Sequence, residues 1–247
     1  MTPLTSNLTQ AGFVLLTIVY FFLFTQEVFS GADATAWSPG RKQRFKRKWI
    51  LGLVAWAIFV SVWSGTGIMG NFDNFPFNFL PVIAVPLVVA IVLTRSRSFG
   101  EILYHVRQEQ IIQLQSFRFF VEILLWLLFI GNIVPEQMTF EGRNLDILSG
   151  ITGPVVAWLL VRGKMSRTAL IIWNVLCLLL LINIVAVAIL STPSPIRVFM
   201  NEPSNTVVTT FPASWLPGFL VPLAYLMHFF SLKQLLSFRE RTVPEVH

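Results

Sequence analysis

An all-α transmembrane bundle of about seven helices, with the N-terminus outside and the C-terminus cytoplasmic, is the fold class this sequence predicts. Three observations predict it. Hydrophobic residues make up 55% of the 247 positions and charged residues only 12%. Apolar runs of bilayer-crossing length recur along the chain, and Lys and Arg gather in alternate intervals between them. Average soluble domains carry about twice that charged fraction, and a water-soluble fold of this length would lack the polar residues to cover its surface. The mean hydropathy of +0.70 agrees. A soluble enzyme, a nucleic-acid-binding domain and a disordered chain are excluded on this balance.

A span needs about 20 apolar residues, with a range of about 17–25. Seven runs qualify: 11–30, 49–70, 77–94, 112–134, 146–162, 168–191 and 214–235. The first has no Lys or Arg before it and meets the basic block RKQRFKRK (41–48) soon after its end. It therefore reads as a retained span rather than a cleaved signal peptide. The third carries Pro81 and Pro86 and the seventh Pro217 and Pro222; each interior proline kinks a helix and frees a carbonyl that neighbours must satisfy. Between the third and fourth runs, 96–110 sets Phe99, Ile102, Leu103 and Val106 at helical spacing. That is the pattern of an amphipathic helix lying on the inner membrane surface. The fifth run is short and starts in a polar stretch. The whole chain, 1–247, reads as one transmembrane domain with no fixed-period repeat.

Orientation follows from the cations, because cytoplasmic loops collect Lys and Arg. With the N-terminus outside, fifteen of the 18 fall on the inner side, Arg143 and Arg197 fall outside, and Arg118 lies in the fourth run. The net charge of +6 thus reports topology rather than nucleic-acid binding. Arg41, Lys42, Arg44, Lys46, Arg47 and Lys48 are expected to rest against anionic lipid head groups, at about 1 kcal/mol per nearby cation. Asn7-Leu8-Thr9 matches a glycosylation acceptor on the outer side, a pattern too short to carry weight.

Ionisable groups inside spans are costly, and each is a functional hypothesis. Gln115, Arg118 and Glu122 follow i, i+3, i+7 spacing on the fourth run and share one face. Arg118 and Glu122, four apart, are placed to pair directly. Asn174 and Asn183 in the sixth run and His228 in the seventh complete the intramembrane candidates for binding a ligand or ion. The bland alternative is a self-neutralised pair and interhelical hydrogen-bond glue. A second concentration, PEQMTFEGRNLDI (135–147), brings Glu136, Glu141, Arg143, Asn144 and Asp146 together on the outer side, with Gly142 permitting a tight turn. These residues line a vestibule or hold a cation or partner, or else Asn144 or Asp146 simply caps the fifth helix. The proline-bearing connection 192–213 is an ordered lid or a docking surface.

The runs QSFRFFVEILLW (115–126), PEQMTFEGRNLDI (135–147) and SWLPGFLVPL (214–223) resemble those of a family of uncharacterised bacterial multi-pass integral membrane proteins. The resemblance implies a bacterial inner (cytoplasmic) membrane as the location, and it supplies no activity and no functional residue.

No zinc motif, phosphate loop or nucleophile elbow is present. One cysteine, Cys177, permits no internal disulfide, and three scattered histidines make no metal site. No catalytic residue, metal or cofactor is expected. The leading expectation is a small-solute or proton/ion-linked transporter with a polar intramembrane site. The competing one is a non-catalytic receptor or structural subunit that binds a membrane-protein partner through its outer loops.

Overall fold

The computed structural model describes residues 3–237, with side chains from residue 9 onward. The cations Arg239 and Arg241, His247 and the side chain of Asn7 lie outside the described residues. Every regular element within them is helical. The helices are α1 (Pro3–Ala34), α2 (Pro39–Gly65), α3 (Leu80–Arg95), α4 (Arg97–His105), α5 (Gln108–Leu114), α6 (Phe117–Ile130), α7 (Ile147–Val161), α8 (Arg167–Leu190) and α9 (Val221–Ser237). A π-helical turn, Leu216–Leu220, leads into α9.

Five stretches are long and apolar enough to cross a membrane: Thr9–Ala34, Pro39–Gly65, Gln108–Ile130, Arg167–Leu190 and Leu216–Ser237. The pair α3 and α4, bent by 77°, makes a sixth if the two count as one broken span. The bundle therefore has fewer full-length crossings than the seven apolar runs predict. α3 and α7 have 16 and 15 residues, and at 1.5 Å per residue reach about 24 and 22 Å against a hydrocarbon core of about 30 Å. The run at 77–94 loses its start because Asn78 is spent on a turn, donating to the Ile68 and Asn71 carbonyls at 2.7 Å each. α7 stops at the Arg162–Gly163 turn, where Gly163 has φ +65°.

Two further differences have local causes. The basic block 41–48 is not a connection but the opening turns of α2. Pro39 pre-sets the first helical turn after an extended Ser38, and the Lys, Arg and Gln that follow are strong helix formers. The 96–110 segment is two pieces. Ser96 caps α4 by accepting from the Phe99 N–H at 3.3 Å, and the chain is extended again at Val106 and Arg107 before α5. Phe99, Ile102 and Leu103 are buried, and α4 packs on α1 where Gly31 meets Ile102 and Val106.

The chain runs between two ends. At the basic end, Arg41 donates to Ser98, Lys233 to the Thr94 and Ser96 carbonyls, Arg167 to Leu235, and Gln234 to the Leu103 and Val106 carbonyls. At the loop end, Gln137 donates to Ser191 at 3.1 Å and Trp63 to the Asn78 carbonyl at 2.9 Å. Aromatic rings fill the core near the basic end, with Phe230 against Phe99 at 4.7 Å and Phe24 at 6.1 Å. Pro222 has no N–H to offer the Gly218 carbonyl four residues back. Trp56 Nε1 donates to that carbonyl instead, at 2.8 Å.

Candidate functional site

Close approach of α7 to α5 and α6 builds the site. A Cβ on Gly150 would lie 2.2 Å from the Phe119 amide nitrogen, and one on Gly153 3.0 Å from the Ile112 carbonyl oxygen. Only glycine permits that contact, and it carries Asp146, one turn before Gly150, up to Arg118, the neighbour of Phe119. The preceding loop is equally tight: a Cβ on Gly142 would sit 2.4 Å from the Glu136 carbonyl oxygen. Gly142 therefore serves close packing of the turn.

Arg118 is 2% exposed, the one arginine buried among the described residues. Its partner is Asp146, not Glu122. Nε donates to Asp146 Oδ2 at 2.7 Å and Nη2 to Oδ1, a bidentate pair. Nη2 also reaches the Cys177 carbonyl at 3.1 Å, and Nη1 lies 2.8 Å from His228 Nε2. A guanidinium only donates, so Nε2 accepts. His228 therefore carries its proton on Nδ1, which donates to Asn174 Oδ1 at 3.0 Å. Asn174 Nδ2 closes the chain on the Leu170 carbonyl at 2.9 Å. One network thus ties α6, α7, α8 and α9 with a single consistent set of donors and acceptors.

The expected direct pair of Arg118 with Glu122 is replaced by a bidentate pair with Asp146, the stronger arrangement, while Glu122 Oε1 is taken by Asn144. Asp146 stands at the N-cap position of α7, yet its side chain makes no capping bond. Its carboxylate is committed to Arg118. Asn144 does not cap either; it bridges. Its Oδ1 accepts from the Asp146 amide at 3.1 Å, and its Nδ2 donates to Glu122 Oε1 at 2.5 Å and to the Met138 carbonyl at 3.0 Å.

Glu122, 2% exposed, has its other oxygen, Oε2, without a hydrogen-bond partner. It lines a cavity of about 80 Å³, along with Arg118 and Asp146. The remaining wall is mainly aliphatic, from α6, α8 and the turn into α9, with Thr192, Asn205 and Val208 of the 192–213 connection at the loop end. A space of this size takes several waters or a small solute, since about 10–15 Å³ admits one water. The three charged groups are one guanidinium and two carboxylates. Once Arg118 and Asp146 cancel, the Glu122 carboxylate is in excess.

The two predicted groups therefore merge in part. Arg118, Glu122, Asn174 and His228 join Asn144 and Asp146. Gln115 is buried at the tightened turn that joins α5 to α6, where the Arg118 amide donates to its carbonyl at 3.1 Å, and its side chain reaches the Ala224 carbonyl at 3.5 Å. Asn183 stands apart, exposed, donating to the Arg143 carbonyl at 2.9 Å. Glu136, Glu141 and Arg143 are exposed; Glu141 accepts from Trp126 at 2.7 Å and Arg143 lies 5.1 Å from the Phe199 ring. The Cys177 and Met138 carbonyls carry no side-chain signal and are invisible to pattern reading. Asn205 and Thr192 lie within a connection whose prolines, not its polar side chains, drew notice.

No curated protein and no solved structure matches this chain. A domain of unknown function, DUF8737, matches residues 102–236. That stretch contains the three runs 115–126, 135–147 and 214–223 and every residue of the buried network. Matched over more than half its length, the chain belongs to the DUF8737 family.

Proposed function

We propose that this protein is an integral membrane carrier for a small solute, coupled to a proton or cation that binds at Glu122. One observation carries the reading: a buried carboxylate with one oxygen held by Asn144 and the other unpartnered, bordering a cavity. An uncompensated charge among hydrocarbon is too costly to persist, so the balancing positive charge is supplied by a proton or a ligand. Arg118, fully engaged with Asp146, His228 and Cys177, holds the helices around the cavity. In the finer topology, the seven apolar runs all cross, α3 and α7 as short passes, with the N-terminus outside and the basic end cytoplasmic. The cation asymmetry supports that orientation; placement in a bacterial inner membrane rests on the sequence resemblance.

Glu122→Gln tests the assignment. Gln keeps an oxygen for Asn144 and removes the charge, so the variant should unfold at the native temperature in detergent. In proteoliposomes supplied with a mixture of small solutes and given an imposed pH gradient, the native protein should dissipate the gradient and the variant should not. A variant that moves protons at the native rate overturns the role of Glu122.

A second reading is favoured by the 192–213 connection, which leaves Ile196, Val198, Met200 and Phe211 between 42% and 68% exposed. Apolar side chains on an ordered loop are a docking surface for a membrane-protein partner. Mild-detergent purification from the native host separates the readings: a stoichiometric companion favours the subunit, a lone protein the carrier.

A further inference from the structure

A groove remains between α2 and the rest of the bundle. α2 is 27 residues long, yet only Val60 and Ser64 along it are buried. Near its end it is fastened by Trp215 to Ser61 at 3.0 Å and Ser214 to Ser64 at 3.1 Å. Toward its start, Trp49 donates to Thr25 at 3.1 Å. Between Trp49 and Trp56, which is itself bonded to the Gly218 carbonyl, α2 stands away from α1, α3 and α9, leaving a space of about 300 Å³ with almost wholly apolar walls.

Three features give the space a direction. Trp49 and Trp56 line it with their indole N–H groups already spent on Thr25 and Gly218, so their rings present fixed apolar surface. Gly52 lies between them, and a Cβ there would meet nothing within 4 Å. Lys48 borders the basic end of the space. From Lys48 to Trp56 the helix rises about 12 Å, a length that suits the glycerol-proximal part of an acyl chain.

The neighbouring cations are not equivalent. Arg41 is held by Ser98 and the Trp37 ring, Lys42 by the Asp33 carbonyl and Lys46 by the Asp33 carboxylate. Arg44, Arg47 and Lys48 are exposed and have no partner among the described residues, and of these three Lys48 borders the space. A free cation at the mouth of an apolar slot complements a phosphodiester with its hydrocarbon chain behind it.

We propose that this groove is a discrete site for one anionic glycerophospholipid, its phosphate on Lys48 and an acyl chain beside Gly52 between Trp49 and Trp56. The site shares with the carrier reading only the membrane setting. Glu122 takes no part in it.

Native mass spectrometry of the detergent-purified protein, supplied with phosphatidylglycerol or phosphatidylcholine of identical chains, tests it. The native protein should retain one phosphatidylglycerol and release phosphatidylcholine. Lys48→Gln should weaken retention about fivefold, the equivalent of one lipid-facing cation. Gly52→Leu, which has room to fold, should abolish it while keeping the native melting temperature in lipid-free detergent. Glu122→Gln should retain the lipid as the native protein does, which separates this site from the carrier assignment. Equal retention of the two lipids, retention unchanged by Lys48→Gln, or a folded Gly52→Leu protein that still holds phosphatidylglycerol overturns the proposal.

Discussion

Removing Asp146 should be among the most damaging single changes to this fold, and its cost can be worked from the contacts. Asp146→Ala deletes both oxygens of the bidentate pair and leaves Arg118 with His228 Nε2 and the Cys177 carbonyl, neither of them charged. Arg118 is 2% exposed, so water does not replace what is lost. Breaking a buried ion pair in this way costs about 3–5 kcal/mol. Glu122, one turn along α6, is the available substitute carboxylate and should recover part of that loss. The full cost is therefore read in a Glu122→Gln background, where no substitute exists. In that same Glu122→Gln background, replacing both charges, Arg118→Met with Asp146→Ala, should recover most of the stability, because no unpaired charge remains. The assay is a reversible unfolding titration in detergent micelles followed by far-ultraviolet circular dichroism. If Asp146→Ala in the Glu122→Gln background costs less than about 1 kcal/mol, the value of a solvent-exposed pair, the two groups are not paired in a buried setting and the reasoning fails.

The other expectations are simpler. Gly150→Ala should cost about 1–3 kcal/mol as overpacking, measured in the same titration, because its methyl group would meet the Phe119 backbone at 2.2 Å. A cysteine cross-link between α6 and α7 should form more slowly in that variant. Asn174→Leu should cost about 1–3 kcal/mol by leaving His228 Nδ1–H without an acceptor, whereas Asn183→Ala, an exposed residue on the same helix, should stay within about 0.5 kcal/mol of the native protein. His228→Leu strands both the Arg118 Nη1 donor and Asn174 Oδ1, so it should exceed Asn174→Leu in the same measurement. Equal effects at 174 and 183 would mean that the network does not bear on stability.

How much of this was legible beforehand depends on range. The helices were readable because an apolar run and its flanking charges are local properties. The observed ends of α8, Arg167 and Leu190, lie one residue from the edges of its apolar run. α7, Ile147–Val161, likewise ends one residue inside each edge of its short run; the start of the third run was missed because Asn78 draws 77–79 into a turn. Arg118, Glu122, His228 and Asn174 were singled out because charged and amide groups are conspicuous against lipid-soluble neighbours. Asn144 and Asp146 were singled out too, but as a separate outer-loop group and not as partners of these four; the Cys177 and Leu170 carbonyls are main-chain groups that carry no side-chain signal.

The sequence by itself determined that the chain is a set of apolar helices with its cations gathered between alternate runs, because hydrophobic transfer and helix propensity act residue by residue. It also marked which polar groups would be expensive to bury. Only the tertiary structure decided what offsets that expense. Arg118 has a carboxylate four residues away and bonds instead to one 28 residues away, because glycine at 150 lets α7 close onto α6 and present Asp146 edge-on to the guanidinium. Glu122 is left with an open oxygen for the same reason.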